Sequence, residues 1–134
     1  MARFLDTNVI LRYLTRDDER KAEAALNLLL RAERGEEKLT TSAVVIFEVV
    51  YTLARYYGVE RQRIRDILLP VISLRSLRLP GKRLFGPALD LYCENNISLA
   101  DAYNACLTLA RGEPEVYTYD TDFDKIEGIV RLEP

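Results

Sequence analysis

Four carboxylates, Asp6, Glu48, Asp101 and Asp120, are candidates for one site. Asp6 follows Phe4-Leu5 directly, so a strand core would hold it at a fixed height, while its Asp-Thr-Asn context equally suits a helix N-cap. Glu48 lies between Ile46-Phe47 and Val49-Val50 and must reach water or a partner. Helical spacing puts Thr52 and Arg55 on its face, so a Glu-to-Arg contact accounts for it as well as a charged cleft does. Asp101 is the third residue after Ser98, where an acid can return a hydrogen bond to the cap and complement the helix dipole. Asn104, one turn on, points the same way from the helix start. Thr118-Tyr119-Asp120-Thr121-Asp122-Phe123-Asp124 carries acids at alternate positions. Such a run resembles the start of a calcium loop, but Lys125 stands where that loop needs Gly, and Arg131 where it needs Glu.

The chain contains 0 His, which removes Ser-His-Asp hydrolases, Cys-His proteases, paired-histidine ribonucleases and histidine-rich zinc sites. Chemistry that uses several carboxylates without imidazole is metal-ion catalysis with Mg²⁺ or Mn²⁺, hard cations that prefer oxygen ligands. Such ions bind phosphate oxygens, activate water and stabilise a leaving oxygen. Without the four acids the formal charge of −2 becomes +2, so a cation-filled site would sit within a mildly basic rim able to hold RNA.

The elements that must position these acids alternate along the chain. A short strand over 3–6 meets a helix over 8–13, and a longer helix runs to about Arg34 with Ala22, Ala25, Leu26 and Leu29 on one face before Gly35. A second strand over 38–41 is followed by Ser42 as cap and a helix over 43–57 that closes at Gly58. Further helices are predicted over 60–72, 82–94 and 98–109, with strands over 76–79, 115–119 and 128–132. The implied fold is α/β with a mainly parallel sheet covered on both faces. Ligands bind such sheets at the carboxyl edge, where Asp6 closes the first strand and Asp120 the fourth.

With 134 residues, 49% of them hydrophobic and 30% charged, the sequence fits one domain over 1–134 with a sizeable core. Lys+Arg 19 against Asp+Glu 21 leaves no broad basic footprint of the kind a duplex DNA binder carries. Cys93 and Cys106 have no CxxC spacing and read as reduced core residues. No apolar run approaches the roughly 18 residues needed to span a bilayer, so a cytoplasmic protein is expected. Most of the eight tyrosines are expected in core and boundary packing.

Phe-Leu-Asp-Thr-Asn near the start, Glu48 in an apolar helix, Ser-Leu-Ala-Asp-Ala-Tyr-Asn-Ala and Thr-Tyr-Asp-Thr-Asp-Phe resemble, in that order and separation, the PIN-domain nucleases. Within them the VapC-type toxins of toxin-antitoxin systems are most similar. The resemblance implies a three-layer α/β/α fold and a Mg²⁺-dependent endoribonuclease that hydrolyses phosphodiester bonds through metal-activated water, with Mn²⁺ able to substitute. Asp6 and Asp101 would be the principal metal ligands, Glu48 a further ligand or a residue positioning water, and Asp120 the fourth acid. Asp122 and Asp124 are alternates for that fourth position. Asn8 and Thr118 match polar residues that organise the pocket. The resemblance also implies a cognate antitoxin protein and a homodimer.

The rival readings belong to other classes. A non-catalytic protein-interaction module would leave the acids as caps and solvated turns. A phosphatase using Asp6 as nucleophile would want an acid where Asn8 stands. A response-regulator receiver would need an early acidic pair and a phosphoacceptor Asp ending a middle strand, and the sequence offers neither.

Overall fold

Strands of two or three residues are too short to be stable alone, and the helices between them supply most of the buried surface. The computed structural model describes residues 1–134. The order is β1 (Arg3–Phe4), α1 (Thr7–Thr15), α2 (Glu19–Glu33), β2 (Leu39–Thr40), α3 (Ala43–Arg55), α4 (Arg61–Ile72), β3 (Leu77–Arg78), α5 (Lys82–Glu94), α6 (Leu99–Ala110), β4 (Glu115–Tyr117) and β5 (Val130–Leu132). A 3₁₀ turn over Thr121–Lys125 separates the last two strands. The chain forms two compact units, Met1–Lys82 and Arg83–Pro134.

In the first unit β1, β2 and β3 lie side by side in that order, all parallel, with Arg3 opposite Leu39 and Leu39 opposite Leu77. Parallel neighbours require crossover connections, and α1 with α2, then α3 with α4, provide them. Leu39, Thr41, Leu77 and Leu79 are buried, while the alternate residues Thr40 and Arg78 reach solvent, so the period of two distinguishes the sheet faces. The buried Thr41 hydroxyl donates to the Leu5 carbonyl at 2.9 Å and so is not left unsatisfied.

The helices follow their sequence signals. The Asp18 carboxylate caps α2 by accepting from the Lys21 N–H, and the Ser42 hydroxyl caps α3 by accepting from the Val45 N–H. Gly35 and Gly58, at φ 79° and 61°, terminate α2 and α3 in left-handed conformations that a side chain would strain. Ile10 of α1, Ala22 and Ala25 of α2, Ile46, Val49 and Leu53 of α3, and Ile64 and Leu68 of α4 are all buried, and α1 packs against both α2 and α3. Complete burial of each large aliphatic side chain contributes about 1.5–3 kcal/mol before entropy is charged against it.

In the second unit β4 and β5 pair in parallel, Glu115 opposite Val130 and Tyr117 opposite Leu132. Phe85 of α5 stacks on Tyr103 of α6 with ring centroids 4.9 Å apart, which fixes one helix on the other. Both cysteines are free, Cys106 buried and Cys93 half-buried.

Several sequence expectations need adjustment: the strands expected over 38–41, 76–79, 115–119 and 128–132 shorten to Leu39–Thr40, Leu77–Arg78, Glu115–Tyr117 and Val130–Leu132, and the helix expected over 43–57 ends at Arg55. The strand expected over 3–6 pairs only at Arg3–Phe4; the chain stays extended to Asp6, the N-cap of α1, and the Leu5 N–H still donates to the Thr40 carbonyl at 2.7 Å. The helix expected over 8–13 is longer at both ends, Thr7–Thr15, and stops where Arg16 adopts φ 53°. Among the tyrosines, Tyr51, Tyr56, Tyr57, Tyr117 and Tyr119 are exposed and only Tyr92 is fully in the core, so packing does not account for most of them. Polarity explains the difference: a phenol tip keeps its hydrogen bonds at the surface, as Tyr57 does by donating to Asp17 at 2.7 Å.

Candidate functional site

Asp101 sits in the first turn of α6 because Ser98 caps that helix: its hydroxyl accepts the Asp101 N–H at 3.1 Å. The cap fixes the backbone of Asp101, and the half-buried side chain then leaves the helix start. Asp120 follows β4 and caps the 3₁₀ turn, its Oδ1 accepting the Asp122 N–H at 2.9 Å. Thr118 holds the same backbone from the other side, its hydroxyl accepting the Asp120 N–H at 3.0 Å. The turn thereby locks Asp120 and Asp122 on either side of Thr121.

The consequence is an all-carboxylate cluster: one carboxylate oxygen each from Asp101, Asp120 and Asp122 lies within 4.8 Å of the others. Burial raises the Asp101 carboxyl above the usual range; the Ser98 hydroxyl pulls it down, and the charges of Asp120 and Asp122 push it up again. Lys125 offsets part of this charge, its Nζ standing 2.9 Å from Asp122 Oδ1. Asp124 turns away to Arg131, 3.1 Å from its Oδ1, and is outside the cluster. Asn104 is exposed one turn beyond Asp101.

The first unit holds the other two acids. Asp6 occupies the N-cap position of α1 with extended backbone, yet its side chain makes no capping hydrogen bond, so capping does not account for the carboxylate. Glu48 projects from α3 and accepts the Thr7 hydroxyl at 2.7 Å. It is thus tied to the residue next to Asp6, and the Glu48-to-Arg55 contact allowed by helical spacing is not formed. Thr7 is the residue that sequence reasoning overlooked. Its signal was present in Asp-Thr-Asn, but a hydroxyl bonded to an acid 41 positions away has no local signature. Asn8 is exposed and lines a groove of about 400 Å³ together with Arg12 and Lys21.

The donor chemistry suits a hard divalent cation. Asp101, Asp120 and Asp122 offer only carboxylate oxygens, with neither imidazole nor thiolate among them, the set that Mg²⁺ and Mn²⁺ prefer. Three acids this close repel one another, and a cation is the simplest partner that would relieve all of them together.

The sequence is similar to that of a VapC ribonuclease from Aquifex aeolicus (strain VF5), 26% identical over 124 residues that make up 92% of this chain and 91% of that protein. It also matches the PIN domain over residues 3–129, a span that takes in both compact units. With the parallel strands and the six helices, that match settles the family: the chain belongs to the PIN domain family and has its α/β fold.

Proposed function

We propose that this protein is a metal-dependent endoribonuclease, the toxin of a toxin-antitoxin pair, acting through Asp6, Glu48, Asp101 and Asp120. The observation that carries the reading is the cluster of Asp101, Asp120 and Asp122, three carboxylates with oxygens within 4.8 Å of one another, a donor set that suits a hard cation. Family membership and the likeness to a VapC ribonuclease supply the reaction class.

Asp6 and Asp101 would be the principal ligands of Mg²⁺ or Mn²⁺, Asp120 the fourth acid with Asp122 as its alternate, and Glu48 a further ligand or a residue that positions water. The bound cation would supply Lewis acidity toward a phosphate oxygen and toward water. The Ser98 cap and the Thr118 and Asp122 backbone contacts fix the carboxylates before substrate arrives, which lowers the reorganisation required during reaction. Glu48, oriented by the Thr7 hydroxyl, would accept a hydrogen bond from the attacking water. Direct attack of water needs no covalent intermediate and leaves a 5′-phosphate and a 3′-hydroxyl. Asn8 and Asn104 would lend neutral hydrogen bonds to the phosphodiester.

The same reading gives the protein a cognate antitoxin, a homodimeric state and a single-domain organisation in the cytoplasm; no helix is long and apolar enough to cross a membrane. The test is incubation of antitoxin-free protein with total RNA, with and without Mg²⁺ and beside Asp101→Asn, followed by sequencing of new 5′ ends. Metal-dependent 5′-phosphate ends that vanish in the variant are expected. Absence of new ends from folded protein would overturn the reading in favour of a non-catalytic interaction module.

A further inference from the structure

The sheet of the first unit carries an unpaired group of cations. In-register neighbours of parallel strands point to the same side, so Phe4, Thr40 and Arg78 form one row, and Lys38 and Ser76, each two residues earlier, form the row beneath. On this side Phe4 is 59% exposed, Lys38 and Arg78 are exposed, and Thr40 and Ser76 are half-buried. A cleft of about 380 Å³ opens on this side, lined by Lys38, Thr40, Arg75, Ser76 and Arg78.

The charges there are uncompensated. Nearby arginines are neutralised: Arg3 lies 3.0 Å from Glu37, Arg31 lies 4.0 Å from the same residue, and Arg34 lies 3.0 Å from Glu36. Lys38, Arg75 and Arg78 have no acidic partner, in a chain whose formal charge is −2. Three free cations and two hydroxyls lining the cleft, with the exposed Phe4 ring in register beside Thr40, make up the composition of a single-stranded nucleic-acid platform: cations for phosphates, a ring for a base. An acidic peptide would satisfy the cations but leave Phe4 without use.

We propose that this cleft binds single-stranded RNA, holding a segment of strand beyond the one being cut. Phe4 and Asp6 are alternate residues of one extended segment, so the surface leads from the amino ends of the strands to the acid at the carboxyl edge. From Ala2 to Asp6 that path is about 13 Å. The role as a substrate-holding surface rests on the nuclease reading, whereas the binding itself does not.

The experiment is fluorescence anisotropy of a fluorescein-labelled oligo(U) RNA with the full chain in EDTA, where cleavage is off. Wild-type protein is expected to bind with a marked salt dependence. Arg75→Glu with Arg78→Glu should weaken binding more than tenfold, and Arg75→Gln with Arg78→Gln should flatten the plot of log affinity against log salt by about 1.4, roughly 0.7 for each phosphate contact on a single strand. Phe4→Ala should cost about fivefold or more. Each variant is checked for a melting temperature close to wild type, and the Gln pair keeps the test open if charge reversal prevents folding. Binding unchanged in the folded variants, no binding by wild type, or preferential displacement of RNA by polyglutamate would overturn the proposal. Cleavage assayed in parallel with Mg²⁺ separates the two readings: RNA held through the cleft but never cut would sink the nuclease reading alone, and cutting without any dependence on the cleft would sink this one alone.

Discussion

Replacing Asp101 with Asn should stabilise the metal-free protein while abolishing its response to metal. Asp120 and Asp122 each place a carboxylate oxygen within 4.8 Å of Asp101, and at that separation each like charge costs about 1 kcal/mol even at the dielectric constant of water. The separation is shorter than the roughly 10 Å screening length of 0.1 M salt, so the repulsion survives in ordinary buffers. Burial is the larger penalty on the Asp101 charge; with Lys125 on Asp122 and solvent screening allowed for, the two neighbouring carboxylates together add about 1 kcal/mol, and the Ser98 hydroxyl takes part of this back. Asn keeps the shape and the hydrogen-bonding oxygen but not the charge. In EDTA at pH 7, Asp101→Asn is expected to melt about 3 °C above wild type, at about 3 °C per kcal/mol for a domain of this length. Mg²⁺ or Mn²⁺ at ten times its dissociation constant adds about 1.4 kcal/mol to wild type, about 4 °C, and little to the variant.

The pH dependence separates charge from packing. Because burial raises the Asp101 carboxyl in the folded state, the native protein binds that proton more tightly than the unfolded chain does. Stability due to this group is therefore greatest at low pH and is lost as pH rises from the ordinary Asp range, near 4, through the raised folded value. The advantage of Asp101→Asn should thus be full at pH 7 and shrink toward zero by about pH 4. Differential scanning fluorimetry of both proteins, in EDTA and in metal, across that range is the assay. A variant that melts at or below wild type in EDTA at pH 7, or a wild type indifferent to metal, would refute the reasoning; a gap undiminished at pH 4 would assign it to packing.

Further outcomes follow from the same geometry. Thr7→Val removes the 2.7 Å hydrogen bond to Glu48 and should slow RNA cleavage several-fold, with a stability change of about 0.5–1.5 kcal/mol by urea denaturation. Asp120→Asn should abolish cleavage, Asp122→Asn should reduce it less because Lys125 already engages that carboxylate, and Asp124→Asn should leave it unchanged, as read by initial rates on one RNA substrate. Ser98→Ala removes the cap of α6 and should cost about 1 kcal/mol of stability, with a larger loss in metal affinity than in melting temperature if the cap also fixes Asp101.

The element order was legible because local signals agreed with one another. Ser42 before an apolar run, Gly35 and Gly58 after one, and Ser98 three residues before Asp101 each report a helix end through backbone chemistry that neighbouring residues alone decide. Strand lengths were overestimated for the opposite reason. Asp6, Thr41 and Leu79 have extended or apolar character, but whether a residue pairs depends on a neighbour strand tens of positions away. The acids were legible as candidates and not as partners: nothing local distinguishes Asp122, inside the cluster, from Asp124, two residues on and turned toward Arg131. Thr7 stayed hidden because its hydrogen bond is tertiary.

The two acidic sets also show why the local alternatives could not be weighed by sequence alone. Asp101 and Asp120 both occupy capping positions, and Asp120 does cap its turn, so a structural role and a ligand role coexist in one carboxylate: Oδ1 accepts the Asp122 N–H, which still leaves Oδ2 for a cation. At Asp6 the position is that of a cap but the side chain does not cap. A helix would gain about 1 kcal/mol from that bond, so its absence is a small local loss at the one acid that ends the first strand. That loss is what a carboxylate reserved for another partner would show, and Asp6→Asn or Asp6→Ser should accordingly cost little stability while removing cleavage.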